Sequence, residues 1–240
     1  MKLLIVKTGS TFKSIHKKYG DFEDFIINQL NIPHDNVVTC AVYKENFIPN
    51  IENFSGVIIT GSHSMVTDKE DWSTYTIKWL RDSSTKHVPI LGICYGHQLI
   101  AEAFGGVVDY HPKGSEVGTV DVTLTEEGEK DLLLRVLPKT FPAHVAHSQT
   151  ALKTPLNASI LAYNSFEPHH AFCINKCIWG VQFHPEFNAD VSRIYIDYQK
   201  IDLIKNGYDF DKLYESVKEH DYGKLLLKRF LDICTSKVYN

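Results

Sequence analysis

Neither sign of charge dominates the sequence: 25 basic residues stand against 29 acidic ones, a formal net charge of -4 over 240 residues. That balance removes the electrostatic case for binding nucleic acid or an anionic membrane surface, and it leaves small neutral or zwitterionic substrates compatible. Long apolar runs are missing too. None approaches the roughly 18 residues a membrane span needs, and the apolar part of the start, MKLLIVKTGS, is too short for a secretory signal. A cytoplasmic location is expected. The cysteines form no paired framework: Cys40, Cys94, Cys173, Cys177 and Cys234 are odd in number and scattered, which points to reduced thiols. No Gly-Lys-Ser/Thr follows the hydroxyl-rich turn around Gly9, so no phosphate loop is read there, nor a nucleotide site elsewhere. Cys173 and Cys177 beside His169-His170 fit no common zinc spacing. His144 and His147, three apart in a strand-like run, point to opposite faces. No metal and no cofactor is expected, and neither internal repeats nor low-complexity tracts are found.

What is present is enough apolar residue, 43% of the chain, for one full core, so residues 1–240 are expected to form a single domain. Residues 2–6 read as a buried first strand. Residues 20–30 read as a helix, with Phe22, Phe25, Ile26 and Leu30 at helical spacing and Asp21 as its cap. Residues 37–42 and the β-branched run GVIIT at 56–60 read as further strands, the latter of the kind covered on both faces. Trp72, Tyr75, Thr76, Trp79 and Leu80 predict a helix over 71–82, and residues 89–93 a fourth strand. This alternation indicates an α/β fold with an open, mostly parallel sheet flanked by helices. After Gly105-Gly106 the pattern changes to short strand-like runs at 107–110, 117–124, 143–147, 159–163, 171–174 and 177–183, interrupted by a helix over 126–136. These predict an antiparallel extension. Helices are expected over 188–201 and 222–234, with a polar segment at 205–220 that reads as irregular or helical.

The centre of the chain is LGICYGHQ at 91–98. An apolar run ends at Ile93 and helix formers begin at Gln98, so Cys94 falls at a strand-to-helix turn. Gly92 and Gly96, two before and two after it, permit the tight reversal of a nucleophile elbow. At the start of the following helix, unpaired N–H groups and the helix dipole favour a thiolate. The N–H of Tyr95, the residue after the nucleophile, is the usual first oxyanion donor of such an elbow.

GICYGHQ at 92–98 followed by GVQFHPE at 180–186 resembles the class I glutamine amidotransferases, the triad-type glutaminases, with the glutaminase part of GMP synthase the nearest likeness. The likeness covers roughly residues 1–200, leaving about 201–240 as a helical tail outside it, and it implies a flavodoxin-like core. In Phe183-His184-Pro185-Glu186 a histidine and a carboxylate two apart can point the same way, so Glu186 can hold one imidazole nitrogen and leave the other for the sulfur. The resemblance implies a Cys94-His184-Glu186 triad, a second oxyanion donor in the loop carrying Gly61, and glutamine held near Gln98, His147 and Ser148. The His147 side chain is expected to be structural. Where many relatives have Gly-Gly-Pro-x-Ser, this chain has Thr60-Gly61-Ser62-His63-Ser64; where they have His-Gly-Asp or His-Ser-Leu, it has His147-Ser148-Gln149.

The expected reaction is attack of Cys94 on a glutamine carboxamide, giving a γ-glutamyl thioester, ammonia and then glutamate. A synthetase domain of at least ~100 residues does not fit in this length. The expected partners are therefore glutamine or a γ-glutamyl small molecule and, for the ammonia, a separate synthetase subunit. Two alternatives stand beside this: a stand-alone γ-glutamyl peptide or amide hydrolase with the same triad, and a catalytically silent binding protein.

Overall fold

Short apolar stretches with no polar alternation build the centre of the protein, whose computed structural model describes residues 2–236. Met1 and residues 237–240, the end of the expected tail, lie outside the described residues. In chain order, β1 (Leu3–Lys7) is followed by α1 (Lys13–Tyr19), α2 (Phe22–Leu30), β2 (Val37–Ala41) and the one-turn α3 (Val42–Glu45). Next come β3 (Gly56–Ile59), α4 (Asp71–Ser83), β4 (Ile90–Ile93) and α5 (Tyr95–Ala103). The second half adds β5 (Val107–Tyr110), β6 (Glu116–Leu124), α6 (Glu126–Lys130), β7 (Thr140–His147), β8 (Gln149–Lys153), β9 (Ser159–Tyr163), β10 (Ala171–Ile174) and β11 (Ile178–Val181). Then follow α7 (Ala189–Tyr198), α8 (Lys200–Lys205), α9 (Phe210–Ser216) and α10 (Tyr222–Thr235).

One sheet runs in the order β2-β1-β3-β4-β11-β10-β9-β6-β7. Its first five strands are parallel, β11 returning to lie beside β4 with Gly180 opposite Gly92. The remaining pairings are antiparallel, and β5 with β8 makes a separate antiparallel ribbon. This is the mostly parallel α/β sheet with an antiparallel extension that the sequence predicts. β1, β3, β4 and β11 are buried along their whole length, as strands covered on both faces must be. None of the helices among the described residues is long and apolar enough to cross a membrane.

The structure corrects the sequence reading at several elements. The helix expected over 20–30 is preceded by a second one: Gly20, at φ +86°, ends α1, and Asp21 starts α2 through a capping box with Asp24. Only Ile15 of α1 is buried, so that helix carries no periodicity to read. The helix expected over 126–136 breaks at Asp131, whose carboxylate accepts the N–H groups of Leu133 and Leu134 and the indole N–H of Trp179. In the segment 205–220, left open between irregular and helical, the structure forms α9, capped by Asp209. β8 has no counterpart in the expected strands, being short and half polar.

The carboxyl ends of β1, β3, β4 and β11 lie side by side, and the loops that follow them converge, as ligand loops do in open parallel sheets. A buried ion pair fixes the first of these loops. Lys7 Nζ lies 2.6 Å from Asp21 Oδ2 and 2.7 Å from Glu23 Oε1, and Asp21 Oδ1 accepts the Thr11 N–H at 2.7 Å. Burial opposes both charges, yet the pairing holds the Lys7 pKa above and the Asp21 pKa below their ordinary values.

Candidate active site

Cys94 sits between β4 and α5 with φ +49° and ψ -97°. Such a conformation costs a non-glycine residue about 1–3 kcal/mol and persists only where the surroundings enforce it. Here they do. The Cys94 N–H donates to the Val181 carbonyl at 2.8 Å, and its own carbonyl accepts the Gln98 N–H at 3.1 Å. The flanking glycines are sterically required: a Cβ at Gly92 would stand 2.5 Å from the Gly96 carbonyl, and one at Gly96 would stand 2.6 Å from the Ile59 carbonyl. The sulfur receives the side-chain N–H of Gln182 at 3.5 Å and lies 4.0 Å from the Ala146 carbonyl.

His184 and Glu186 follow β11 on the adjoining loop. His184 Nδ1 and Glu186 Oε1 are 2.8 Å apart and both side chains are buried. The backbone N–H of His184 is anchored on the His144 carbonyl of β7 at 2.8 Å, and the Phe187 ring stacks on its imidazole at 4.1 Å. With Nδ1 occupied, Nε2 is the nitrogen left for the sulfur. Burial disfavours the imidazolium, but the Glu186 carboxylate, then the charge and hydrogen bond of Cys94, outweigh it and raise the His184 pKa. The second carboxylate oxygen, Glu186 Oε2, is buried with no hydrogen-bond partner.

Gly61 follows β3. A Cβ at this position would press on the imidazole, coming within 3.0 Å of His184 Cε1, and would stand 3.8 Å from Cys94 Cβ. Thr8 Oγ1 lies 2.9 Å from the carbonyls of both Thr60 and Gly61. In a trans peptide the N–H opposes the C=O, so the Gly61 N–H points away from Thr8. Tyr95 opens α5, where the N–H has no intrahelical acceptor, and its hydroxyl is tied to Ser73 at 2.9 Å.

A cavity of about 250 Å³ opens at Cys94. It brings together Cys94, Tyr95, Gln98, His147 and Ser148. The Gln98 side-chain amide is already committed, donating to the Gln149 carbonyl at 2.8 Å and to Gln182 Oε1 at 3.2 Å. His147 is held by Glu116 at 3.0 Å and the Gln149 carbonyl at 3.1 Å. Ser148 Oγ lies 2.8 Å from Ser115 Oγ.

Sequence reasoning assigned no role to Gln149, Gln182, Phe12, His63 or Tyr195. Gln149 joins the Gly61 loop to the ribbon, its Oε1 accepting the Val66 N–H at 3.1 Å and its Nε2 donating to Thr67 Oγ1 at 2.6 Å. Gln182 lies inside GVQFHPE, so its place in the motif was a signal. The three aromatic residues line the same cavity from separate elements.

Residues 20–199 match the model of the family described as glutamine amidotransferase class-I. A glutamine amidotransferase-like protein of Schizosaccharomyces pombe is 27% identical over 253 residues, covering 95% of this chain and 98% of that protein. Gamma-glutamyl peptidase 4 of Arabidopsis thaliana is 28% identical over 186 residues, 73% of this chain and 71% of its own. A glutamine-hydrolysing GMP synthase subunit of Methanococcus aeolicus is 40% identical over 100 residues, 41% and 51% of the two chains. In fold, the chain is similar to the crystal structure of a glutamine amidotransferase from Thermotoga maritima, with a TM-score of 0.78 at 21% identity over 98% and 99% of the two chains.

Proposed function

This chain belongs to the class-I glutamine amidotransferase family, and from that premise we propose that it cleaves the side-chain amide of glutamine through a Cys94 γ-glutamyl thioester. One observation carries the reading: a cysteine held at positive φ on a helix N-terminus, beside a histidine whose Nδ1 is fixed by a buried carboxylate 2.8 Å away. The Cys94 thiolate attacks the γ-carbonyl carbon, and the negative oxygen of the tetrahedral intermediate is met by the N–H groups of Tyr95 and Gly61. The C–N bond then breaks as His184 gives its Nε2 proton to the nitrogen, which leaves as ammonia. Water attacks the thioester, passing a proton back to His184, and the C–S bond breaks to release glutamate. Glu186 keeps the imidazole oriented and supports its charge throughout.

The likeness to the GMP synthase subunit of Methanococcus aeolicus supports a second reading of the ammonia's fate, delivery to a separate synthetase chain. On that reading, turnover rises when the partner is added.

The test is release of ammonia and glutamate from glutamine by the full chain, with Cys94→Ala as control. Turnover lost in the control is the expected result. Absence of turnover, together with failure of an electrophilic glutamine analogue to label Cys94, would overturn the reading.

A further inference from the structure

Gln182, the first residue after β11, is fully buried, and its backbone N–H is pinned on the His170 carbonyl at 2.8 Å. Val181 before it accepts the Cys94 N–H at 2.8 Å, so Gln182 is set beside the elbow. Its side-chain Nε2 lies 3.5 Å from Cys94 Sγ. Proton transfer by His184 and its support by Glu186 make no use of this amide.

The direction of the amide is fixed by a chain of partners. Nitrogen and oxygen of a glutamine side chain are distinguished by what each of them meets, and this chain ends on a group that cannot reverse. The Gln149 carbonyl only accepts, so the Gln98 group 2.8 Å from it is the NH2. That same NH2 lies 3.2 Å from Gln182, so the Gln182 atom it meets is the oxygen. The Gln182 NH2 is therefore the group turned to the sulfur. Flipping Gln182 alone would set two NH2 groups against each other, and flipping Gln98 would set its oxygen against the Gln149 carbonyl.

A neutral amide does not titrate, so it offers its N–H to the sulfur at every stage, whereas His184 alternates between donor and acceptor. The hydrogen bond is strongest while the sulfur is charged. The sulfur carries charge before the attack, loses it in the thioester and regains it when the thioester breaks. A thiolate that accepts a hydrogen bond is a weaker nucleophile but a better leaving group. In the first half-reaction a larger thiolate fraction offsets the weaker attack. The second half-reaction has no such offset.

We infer that Gln182 is a catalytic residue whose N–H stabilises the sulfur as it departs, so that it serves release of glutamate more than formation of the thioester. The inference rests on the reading of Cys94 as nucleophile. Water adds to the thioester carbon and passes a proton to His184; the C–S bond then breaks, its electron pair returns to Sγ, and the Gln182 Nε2–H donates to the charge that forms there.

The experiment uses the full chain with glutamine and the variant Gln182→Met, which keeps the length of the side chain and removes the donor. Acid-quenched time courses count ammonia, glutamate and γ-glutamyl-enzyme per Cys94 site, the sites being titrated with an electrophilic glutamine analogue. In the variant the ratio of acylation rate to deacylation rate is expected to rise about tenfold, the scale of one hydrogen bond to a charged group. It is read as a larger fraction of sites standing as thioester and a burst of ammonia ahead of glutamate. Counting per titrated site removes misfolded protein from the ratio. A second measurement needs no variant: in the nitrogen-labelled chain, the side-chain amide protons of Gln182 are expected to move upfield when the analogue converts Cys94 to a neutral thioether. An unchanged ratio in Gln182→Met, whatever its turnover, or amide protons that do not move, overturns this inference and leaves the Cys94 mechanism standing. Failure of the unaltered chain both to release ammonia and to take up the analogue overturns both.

Discussion

Gly61 faces the imidazole of His184 with no side chain of its own, and a methyl group there would stand 3.0 Å from His184 Cε1. That is closer than ordinary van der Waals contact, so either the imidazole turns away from Glu186 or the Gly61 N–H leaves its place. Both harm the same step. Gly61→Ala is expected to lower kcat by about 100-fold, the scale of losing one oxyanion donor or misplacing a catalytic group by an ångström. Thermal unfolding should move little, since only one loop is affected. A variant with near-normal kcat would show that this loop takes no part in the reaction.

Glu186→Gln tests the electrostatics of the pair. Burial lowers the His184 pKa, while Glu186 and Cys94 raise it above 6.5 overall. A raised folded pKa contributes stability that is full below the unfolded value near 6.5 and is lost as pH rises through the folded value. In the glutamine variant the leading raising cause is gone, so the imidazolium gives up its proton at lower pH. The alkaline limb of kcat/KM should shift to lower pH, and the alkaline loss of thermal stability should shift with it. An unmoved limb would assign it to another group.

At the acid end the buried histidines control stability. Burial drives His97 to a pKa of about 3, and burial with the positive charges of His220, His184 and Arg193 drives His144 to about 3. The unfolded chain takes up these protons from about pH 6.5 downward, so stability is full above that value and falls toward pH 3. Glu116 adds a loss only below its ordinary value of 4.5, because hydrogen bonds from His147 and His170 outweigh its burial and depress its pKa. The interval between pH 6.5 and 4.5 therefore reports the histidines. His144→Asn should reduce the pH slope of the unfolding free energy there by about 1.4 kcal/mol per unit. Chemical denaturation at a series of pH values checks this, and an unchanged slope would mean that His144 does not stay neutral in the folded state.

The backbone at position 94 separates function from stability. With φ at +49°, alanine inherits the strain of cysteine, whereas glycine does not. Cys94→Gly should be more stable than Cys94→Ala by about 1 kcal/mol, after the greater freedom of glycine in the unfolded chain is counted against it. Both should lack turnover. The opposite order of stability in matched denaturation curves would show that the elbow relaxes in solution.

Some of the site was legible because its constraints are local. The elbow needs small residues at fixed offsets, and Gly92 and Gly96 stand where a Cβ would collide with backbone. His184 and Glu186 are two apart on one loop, so their pairing follows from the chain itself. The helix α1 was not legible, having a single buried residue, and neither was the break at Asp131, where a carboxylate takes three N–H donors that no local pattern announces. Gln98 was found but not its bonds, which run to Gln149 and Gln182 on other strands and loops.

By itself the sequence determined the alternating sheet, the turn that bears Cys94 and the spacing of the histidine and its carboxylate, because periodicity and steric limits act over a few residues. Only the tertiary structure decided which groups share the cavity. β11 must cross back to lie beside β4 before His184 reaches Cys94, and Phe12, His63 and Tyr195 meet only when the loops after β1 and β3 close against α7. Ring contacts of this kind form between surfaces, and surfaces exist only once the core beneath them has packed.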